Sequence, residues 1–294
     1  MVTKLDLKAF DSEAENTWCP GCGDFAILRS LKIALTELGI ASHEALVVSG
    51  IGCGSKLPDY MHINGYMTIH GRPLPVATGA KLANPDLHVI VINGDGDSYG
   101  IGGNHFLHSC RRNPNITHIV EDNQIYGLTK GQYSPTSDRG FVTTTSPDGA
   151  IEEPLLPVAV ALAAGATFIA RTFAGDPKHM AAVIVEAIKH QGYSLIDVLQ
   201  PCVTFNRVNT YEWYRERVYK LEEDYDPSDR DSARARAYEW EDRIPLGIIY
   251  RNDEAPAYEA QVLALKAGSP LASVLKLQKD PALGQYESLK EQFL

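Results

Sequence analysis

The chain has 294 residues, 44% hydrophobic and 22% charged, enough to bury a sizeable core. Its formal charge of −10 disfavours nucleic-acid binding, which needs a basic face to displace counterions from phosphate. No run offers the roughly 18 apolar residues of a membrane span, the opening residues lack the apolar stretch of an export signal, and five scattered cysteines are too few for a disulfide scaffold, so a cytoplasmic chain with metal-binding, catalytic or free thiols is expected.

In chain order, the first chemistry-bearing stretch is Trp18-Cys19-Pro20-Gly21-Cys22-Gly23, a Cys-x2-Cys knuckle whose glycines let backbone N–H groups turn toward sulfur. Leu28, Leu31, Leu35 and Leu38 then recur at helical spacing, with Gly39 as a left-handed cap, and predict a helix over 25–38. A strand at 46–49 runs into Gly50-Ile51-Gly52-Cys53-Gly54, a second Gly-rich turn holding a third cysteine. Further strands are expected at 88–92, 116–120, 167–171 and 195–199, most of them apolar without alternation, as in strands covered on both faces. Helices are expected between them at 75–84, 104–112, 156–165 and 177–190. This alternation predicts an α/β fold with a doubly wound, mostly parallel sheet. Ligands in such sheets bind beyond the carboxyl ends of the strands, which concentrates the expected chemistry in loops 50–60, 93–104 and 122–137.

The run Val89-Ile-Val-Ile-Asn-Gly-Asp-Gly-Asp-Ser ends a strand in two carboxylates flanked by glycine. Without side chains at Gly94 and Gly96, backbone amides can approach an anion, and Asp95 can hold the cation that neutralises it. Gly102-Gly103 and the helix that follows would add a helix N-terminus, where N–H groups and the dipole favour phosphate. The next strand delivers Glu121-Asp122-Asn123, and Asn123 could offer an oxygen to the same cation. A lone Gly-Asp-Gly is also just a tight turn; the second site one helix-plus-strand unit later favours the metal–phosphate reading. Cys202 follows the last strand, so Cys19, Cys22, Cys53 and Cys202 collect at one sheet edge, where four thiolates suit either tetrahedral zinc or a 4Fe–4S cluster. Cys110, inside a predicted helix, reads as a buried small hydrophobe. Residues 1–206 form the expected domain; residues 207–294, dense in charge and Tyr/Trp over 211–243, read as a C-terminal arm packed on the domain or on a partner.

Gly94-Asp95-Gly96 followed by Asn123 resembles the thiamin-diphosphate motif, with Asp122-Asn123 where a pair of Asn is usual. The order Trp-Cys-Pro-Gly-Cys-Gly-Asp, Gly-Ile-Gly-Cys-Gly-Ser-Lys, His-Gly-Arg, the diphosphate loop and Asn-Gln-Ile-Tyr-Gly-Leu-Thr-Lys-Gly-Gln, over about 15–206, resembles the small (beta) subunit of 2-oxoacid:ferredoxin oxidoreductases. The resemblance implies Mg²⁺ held by Asp95, Asn123 and the carbonyl of Ile125, and thiamin diphosphate along Ile51, Gly52, Gly54, His70, Gly71, Gly94, Gly96, Asp97, Gly127 and Leu128. It implies a 4Fe–4S cluster on Cys19, Cys22, Cys53 and Cys202, and a reaction in which a 2-oxoacid and CoA give acyl-CoA, CO₂ and reduced ferredoxin, or the reverse carboxylation. An alpha subunit with the pyrimidine-binding domain would supply the activating Glu, and a dimer of heterodimers is expected. His70 would act on a phosphate or a proton, a structural hydrogen bond being an equal alternative. Lys56 and Lys130 are candidate substrate groups, solvated charges otherwise; a Lys at 56 goes in that family with substrates carrying more than one carboxylate, hence 2-oxoglutarate rather than pyruvate. On the residues alone, a non-redox thiamin decarboxylase or ligase with structural zinc and a thiamin-binding regulatory subunit also stay open.

Overall fold

The apolar runs pair side by side in the computed structural model, which describes residues 5–265. One sheet contains β1 (Ala45–Ser49), β2 (Asn64–Met67), β3 (His88–Gly94), β4 (Ile116–Asp122) and, beyond a small hairpin of β5 (Ile125–Tyr126) and β6 (Gln132–Tyr133), β7 (Phe168–Phe173), β8 (Tyr193–Leu199), β9 (Val218–Lys220) and β10 (Ile244–Arg251). The strand order is β2-β1-β3-β4-β8-β7-β10-β9. All pairings from β2 through to β7 are parallel; β10 runs antiparallel to β7 and carries β9 parallel to itself.

The helices are α1 (Asp24–Leu38), α2 (Pro73–Ala83), α3 (Gly103–Arg112), α4 (Pro157–Ala164), α5 (Pro177–Lys189), α6 (Tyr211–Arg217), α7 (Arg230–Ala237) and α8 (Tyr258–Gln261). Strand side chains alternate between two cores. Ile90 and Ile92 of β3 pack with Ile27, Leu31 and Leu35 of α1 and with Ile184 of α5. Val89 and Val91 of the same strand pack with Leu74 of α2, Phe106 of α3 and Val158 of α4. Each such side chain contributes about 1.5–3 kcal/mol on burial, and a strand with both faces covered needs no polar alternation. α1 stops at Gly39, whose φ of 69° lets its N–H reach the carbonyls of Leu35 and Thr36.

The doubly wound core thus follows the expected alternation, while three features differ. β2 was not expected, because its residues Asn-Gly-Tyr-Met are all exposed and carry no apolar run. The 211–251 stretch, expected as a packed arm, builds strands into the central sheet: Ile248 of β10 pairs with Ala170 of β7, and Leu246 with Lys220 of β9. Residues 266–294 of that arm lie outside the described residues. Loop 93–104 is a π-helical turn, Gly96–Ile101, leading into α3. Among the described residues, no helix is long and apolar enough to cross a membrane.

Candidate functional site

Four strand ends open on one cavity of about 300 Å³. The chain before α1 and the ends of β1, β3, β4 and β8 line it, together with the β5–β6 hairpin. Of the residues singled out for cofactor, metal or substrate, all line this cavity except Gly71, which sits one residue behind His70, and the Gly102-Gly103 pair. A wider hollow of about 660 Å³ against α4, lined by Ala159, Val160 and Tyr238, holds none of them.

The four cavity cysteines are free thiols. A Cβ at Gly127 would stand 3.6 Å from the Cys202 sulfur and 3.8 Å from that of Cys53, so the bare glycine leaves the space beside both sulfurs open. Trp18 Nε1 donates to the Cys53 carbonyl at 2.7 Å, and Gln200 Nε2 donates to the Cys22 sulfur at 3.2 Å. Burial pushes the Cys53 thiol up to about 12 and the Cys22 thiol up as well, so both are neutral until a cation compensates the thiolate. Cys110 lies elsewhere, inside the core of the opposite face, as its helical position implied.

Beneath the sulfurs stand two carboxyl groups to which the sequence reading assigned no role. Asp24 is buried and lifted to about 7 by desolvation; Glu121 is held well above the usual carboxylate range, first by burial and then by Asp24 and Asp95. Neither oxygen of Asp24, nor Oε1 of Glu121, has a well-formed hydrogen bond among the described residues. Buried polar atoms left this way are costly. A Cβ at Gly54 would overlap the Glu121 carboxyl, which explains the glycine by packing. The available signal for Asp24 was its place directly after Cys22-Gly23.

The diphosphate loop is anchored from below. Asp95, lifted to about 6 by burial, accepts from Ser134 Oγ at 2.5 Å and Thr136 Oγ1 at 2.6 Å. Asn123 accepts from the Ile125 N–H at 3.2 Å and donates to Gln200 at 2.8 Å. Among the described residues no three His, Cys, Asp or Glu side chains are grouped as ligands of one ion; the expected magnesium set has one carboxylate, with an amide and a backbone carbonyl beside it. A Cβ at Gly94 would meet only the Glu121 carbonyl oxygen, at an ordinary 3.9 Å, whereas Gly96 is bare because the Tyr126 ring occupies the position of its Cβ, and the Tyr126 hydroxyl donates to the Gly96 carbonyl at 3.1 Å. Gly102 and Gly103 do not line the cavity; the Gly102 N–H is spent on the Asp97 carbonyl at 2.9 Å, so the expected helix N-terminus is not offered to the site.

His70 Nδ1 lies 2.6 Å from Asp97 Oδ1, an ion-pair distance without an aligned N–H bond. Lys56 Nζ donates to Thr17 Oγ1 at 3.1 Å, and Lys130 is held at a φ of 78°, unusual for a side-chain-bearing residue. Both ammonium-bearing residues therefore share the cavity with the thiols and the diphosphate loop.

Residues 48–198 match the family model "Thiamine pyrophosphate enzyme, C-terminal TPP binding domain", and residues 202–267 match the model for the C-terminal part of the pyruvate ferredoxin oxidoreductase beta chain. The chain is 47% identical over 268 residues to a 2-oxoacid:ferredoxin oxidoreductase subunit beta of Sulfolobus sp, covering 87% of each chain. It is 44% identical over 294 residues to the corresponding subunit of Saccharolobus solfataricus, covering 94% of this chain and 96% of that one. The structure of 2-oxoglutarate:ferredoxin oxidoreductase from Magnetococcus marinus with 2-oxoglutarate, coenzyme A and succinyl-CoA bound superposes with a TM-score of 0.86 at 39% identity, covering 98% of this chain and 96% of that one. With a thiamin-diphosphate-binding domain that carries its expected motif at the strand ends, this chain belongs to the family of 2-oxoacid:ferredoxin oxidoreductase beta subunits.

Proposed function

We propose that this subunit, with its alpha partner, oxidatively decarboxylates 2-oxoglutarate with CoA to an acyl-CoA and CO₂ and passes the electrons to ferredoxin, the same groups serving the reverse carboxylation. The observation that carries this reading is that the diphosphate loop, four thiols and two lysines, delivered from separate strand ends, line one cavity. The relatives add to it: one is named 2-oxoglutarate oxidoreductase subunit KorB, from Mycobacterium tuberculosis, 47% identical over 199 residues, or 68% of this chain and 53% of that one. When bound, thiamin diphosphate supplies the chemistry at the 2-oxoacid carbonyl and a 4Fe–4S cluster accepts electrons one at a time.

The chain's own residues would bind and orient these groups. Cys19, Cys22, Cys53 and Cys202 would hold the cluster, and Gln200, which already donates to the Cys22 sulfur, would tune it. Asp95, Asn123 and the Ile125 carbonyl would hold Mg²⁺, with Ser134 and Thr136 fixing the Asp95 carboxylate. His70 would face the diphosphate region, turned there by Asp97. Lys56 and Lys130, which both line the cavity, would pair with the distal carboxylate of the substrate. Glu121, which lines the cavity, is buried beneath Gly54 and beside Asp24, so the alpha subunit would supply the activating Glu for the aminopyrimidine with the pyrimidine-binding domain; a dimer of heterodimers fits that division.

The test is an anaerobically purified alpha–beta complex. Broad visible absorbance that bleaches on adding 2-oxoglutarate and CoA is expected, whereas a colourless, zinc-loaded protein would sink the cluster assignment. Lys56→Met should raise KM for 2-oxoglutarate about tenfold, the loss of roughly 1.4 kcal/mol of ion pairing, with little change for pyruvate; equal effects on both substrates refute the substrate assignment.

A further inference from the structure

A line of buried polar groups runs from the core behind the sheet to the cavity wall. Its innermost members, His118 and Tyr193, lie outside the motifs that point to thiamin. Asp97 at its outer end receives the Ile51 N–H at 3.0 Å and the Gly71 N–H at 2.9 Å on Oδ1, and Asn93 Nδ2 at 2.7 Å on Oδ2. One carboxylate therefore ties the turn after β1 and the turn before α2 to the loop after β3. A Cβ at Gly50 would overlap that carboxylate, so the neighbouring glycine is shaped to admit it. Asn93 Oδ1 stands 2.8 Å from His118 Nε2, and His118 Nδ1 stands 2.6 Å from the Tyr193 hydroxyl. Ser98 Oγ also lies 3.1 Å from His118 Nε2.

The direction of every bond follows from chemistry. A carboxylate only accepts, so the NH₂ group of Asn93 faces Asp97 and its oxygen faces His118. That oxygen only accepts, so His118 carries its proton on Nε2. His118 is wholly buried in β4, and burial pushes its imidazole down to about 3, so it is neutral and Nδ1 bears a lone pair. Tyr193 must then donate to Nδ1. The line begins at Tyr193, with Cys110 close beside it. From Tyr193 through His118 and Asn93, each donor points toward Asp97, an arrangement in which successive hydrogen bonds polarise one another.

We propose that His118, with Asn93 and Tyr193, is a positioning residue for thiamin diphosphate: by aiming the Asn93 amide at Asp97 it holds the carboxylate that gathers Ile51, Gly71 and His70 around the diphosphate side of the cavity. This rests on the cofactor placement proposed above. It gives the buried histidine a connected role, although His118 does not touch the cavity.

The test measures the Kd of thiamin diphosphate with Mg²⁺ by calorimetry on the intact alpha–beta complex, alongside the melting temperature of the cofactor-free complex. Asn93→Leu and His118→Phe should each weaken binding about tenfold. His118→Gln should restore binding to within about threefold, because its amide can donate to Asn93 from nearly the same place. Tyr193→Phe should fall between these. If His118→Phe does not fold, Asn93→Leu and His118→Gln still decide. Equal weakening by the Gln and Phe variants, or wild-type affinity in both Asn93→Leu and His118→Gln, overturns the proposal. Asp97→Asn separates the two readings: if it too binds like wild type, the placement of the diphosphate is wrong. If it weakens binding while the inner variants do not, only the positioning line is lost.

Discussion

Asp24, Asp95, Glu121 and Asp122, at the cavity end of the sheet, are 1–2% exposed, and burial lifts all four above the usual carboxylate range. The antiparallel edge handles charge the other way. There Arg251 pairs with Glu186 at 3.0 Å and Asp253 at 2.7 Å, Arg236 pairs with Glu239 at 2.7 Å, and the guanidinium groups of Arg217 and Arg243 each lie 4.3 Å over an aromatic ring. Solvent screens these pairs, and their stems cover apolar surface. Apart from Arg171 of β7, buried with Asp197 and stacked on Trp240, the edge thus keeps its charge near the surface and its stability in a satellite core, Phe173, Leu199, Tyr214, Ile244 and Leu246. The cavity end instead stores incompletely satisfied acids and neutral thiols, groups that a bound cation would satisfy. The contrast teaches where a substitution should cost function and where it should cost stability.

The sharpest way to break that contrast is at Cys53. Cys53→Ser should lower ferredoxin reduction about 100-fold or more, since even changes next to metal ligands cost 10–100-fold, and should discharge the visible colour, with little change in the melting temperature of the cofactor-free complex. A large fall in that melting temperature would mean that Cys53 packs rather than ligates. At the edge, Tyr214→Ala should cost about 3–5 kcal/mol, because it empties a fully buried aromatic site against Phe173. Denaturant unfolding measures this, and thiamin diphosphate affinity should stay within about twofold per molecule folded. If affinity fell in parallel, the two regions would be energetically joined. The smallest effect is expected from Arg236→Ala, whose partly exposed pair with Glu239 should contribute at most about 1 kcal/mol. A larger loss in denaturant unfolding would show that the edge relies on its surface charges.

Much of the cavity was legible from sequence because its parts are strand-end loops. A strand's end is marked locally, by an apolar run stopping at Gly, Asp or Asn, as in Ile92-Asn93-Gly94-Asp95. Parallel α/β topology then brings such ends to one side of the sheet. What stayed hidden were residues whose importance depends on neighbours far along the chain. His118 in Ile-Thr-His-Ile-Val looks like an interruption of an apolar strand, and only the approach of Asn93 and Tyr193 gives it partners. Asp24 sat inside a quoted motif, yet its burial beside Cys22 and Glu121 depends on how the start of α1 meets the end of β4 from far along the chain. Gly54 and Gly96 read as concessions to a ligand, and prove to make room for Glu121 and Tyr126.

By itself, the sequence determined the alternation of strands and helices, the order of the motifs and the donor types available to a cofactor, because these follow from periodicity and local chemistry within a few residues. Only the tertiary structure decided that residues 218–251 close the sheet's edge as β9 and β10, which carboxyl groups lie desolvated beside the thiols, and that a buried histidine connects the core to Asp97. Strand pairing, desolvation and hydrogen-bond direction all depend on contacts between distant segments, and no local pattern encodes them.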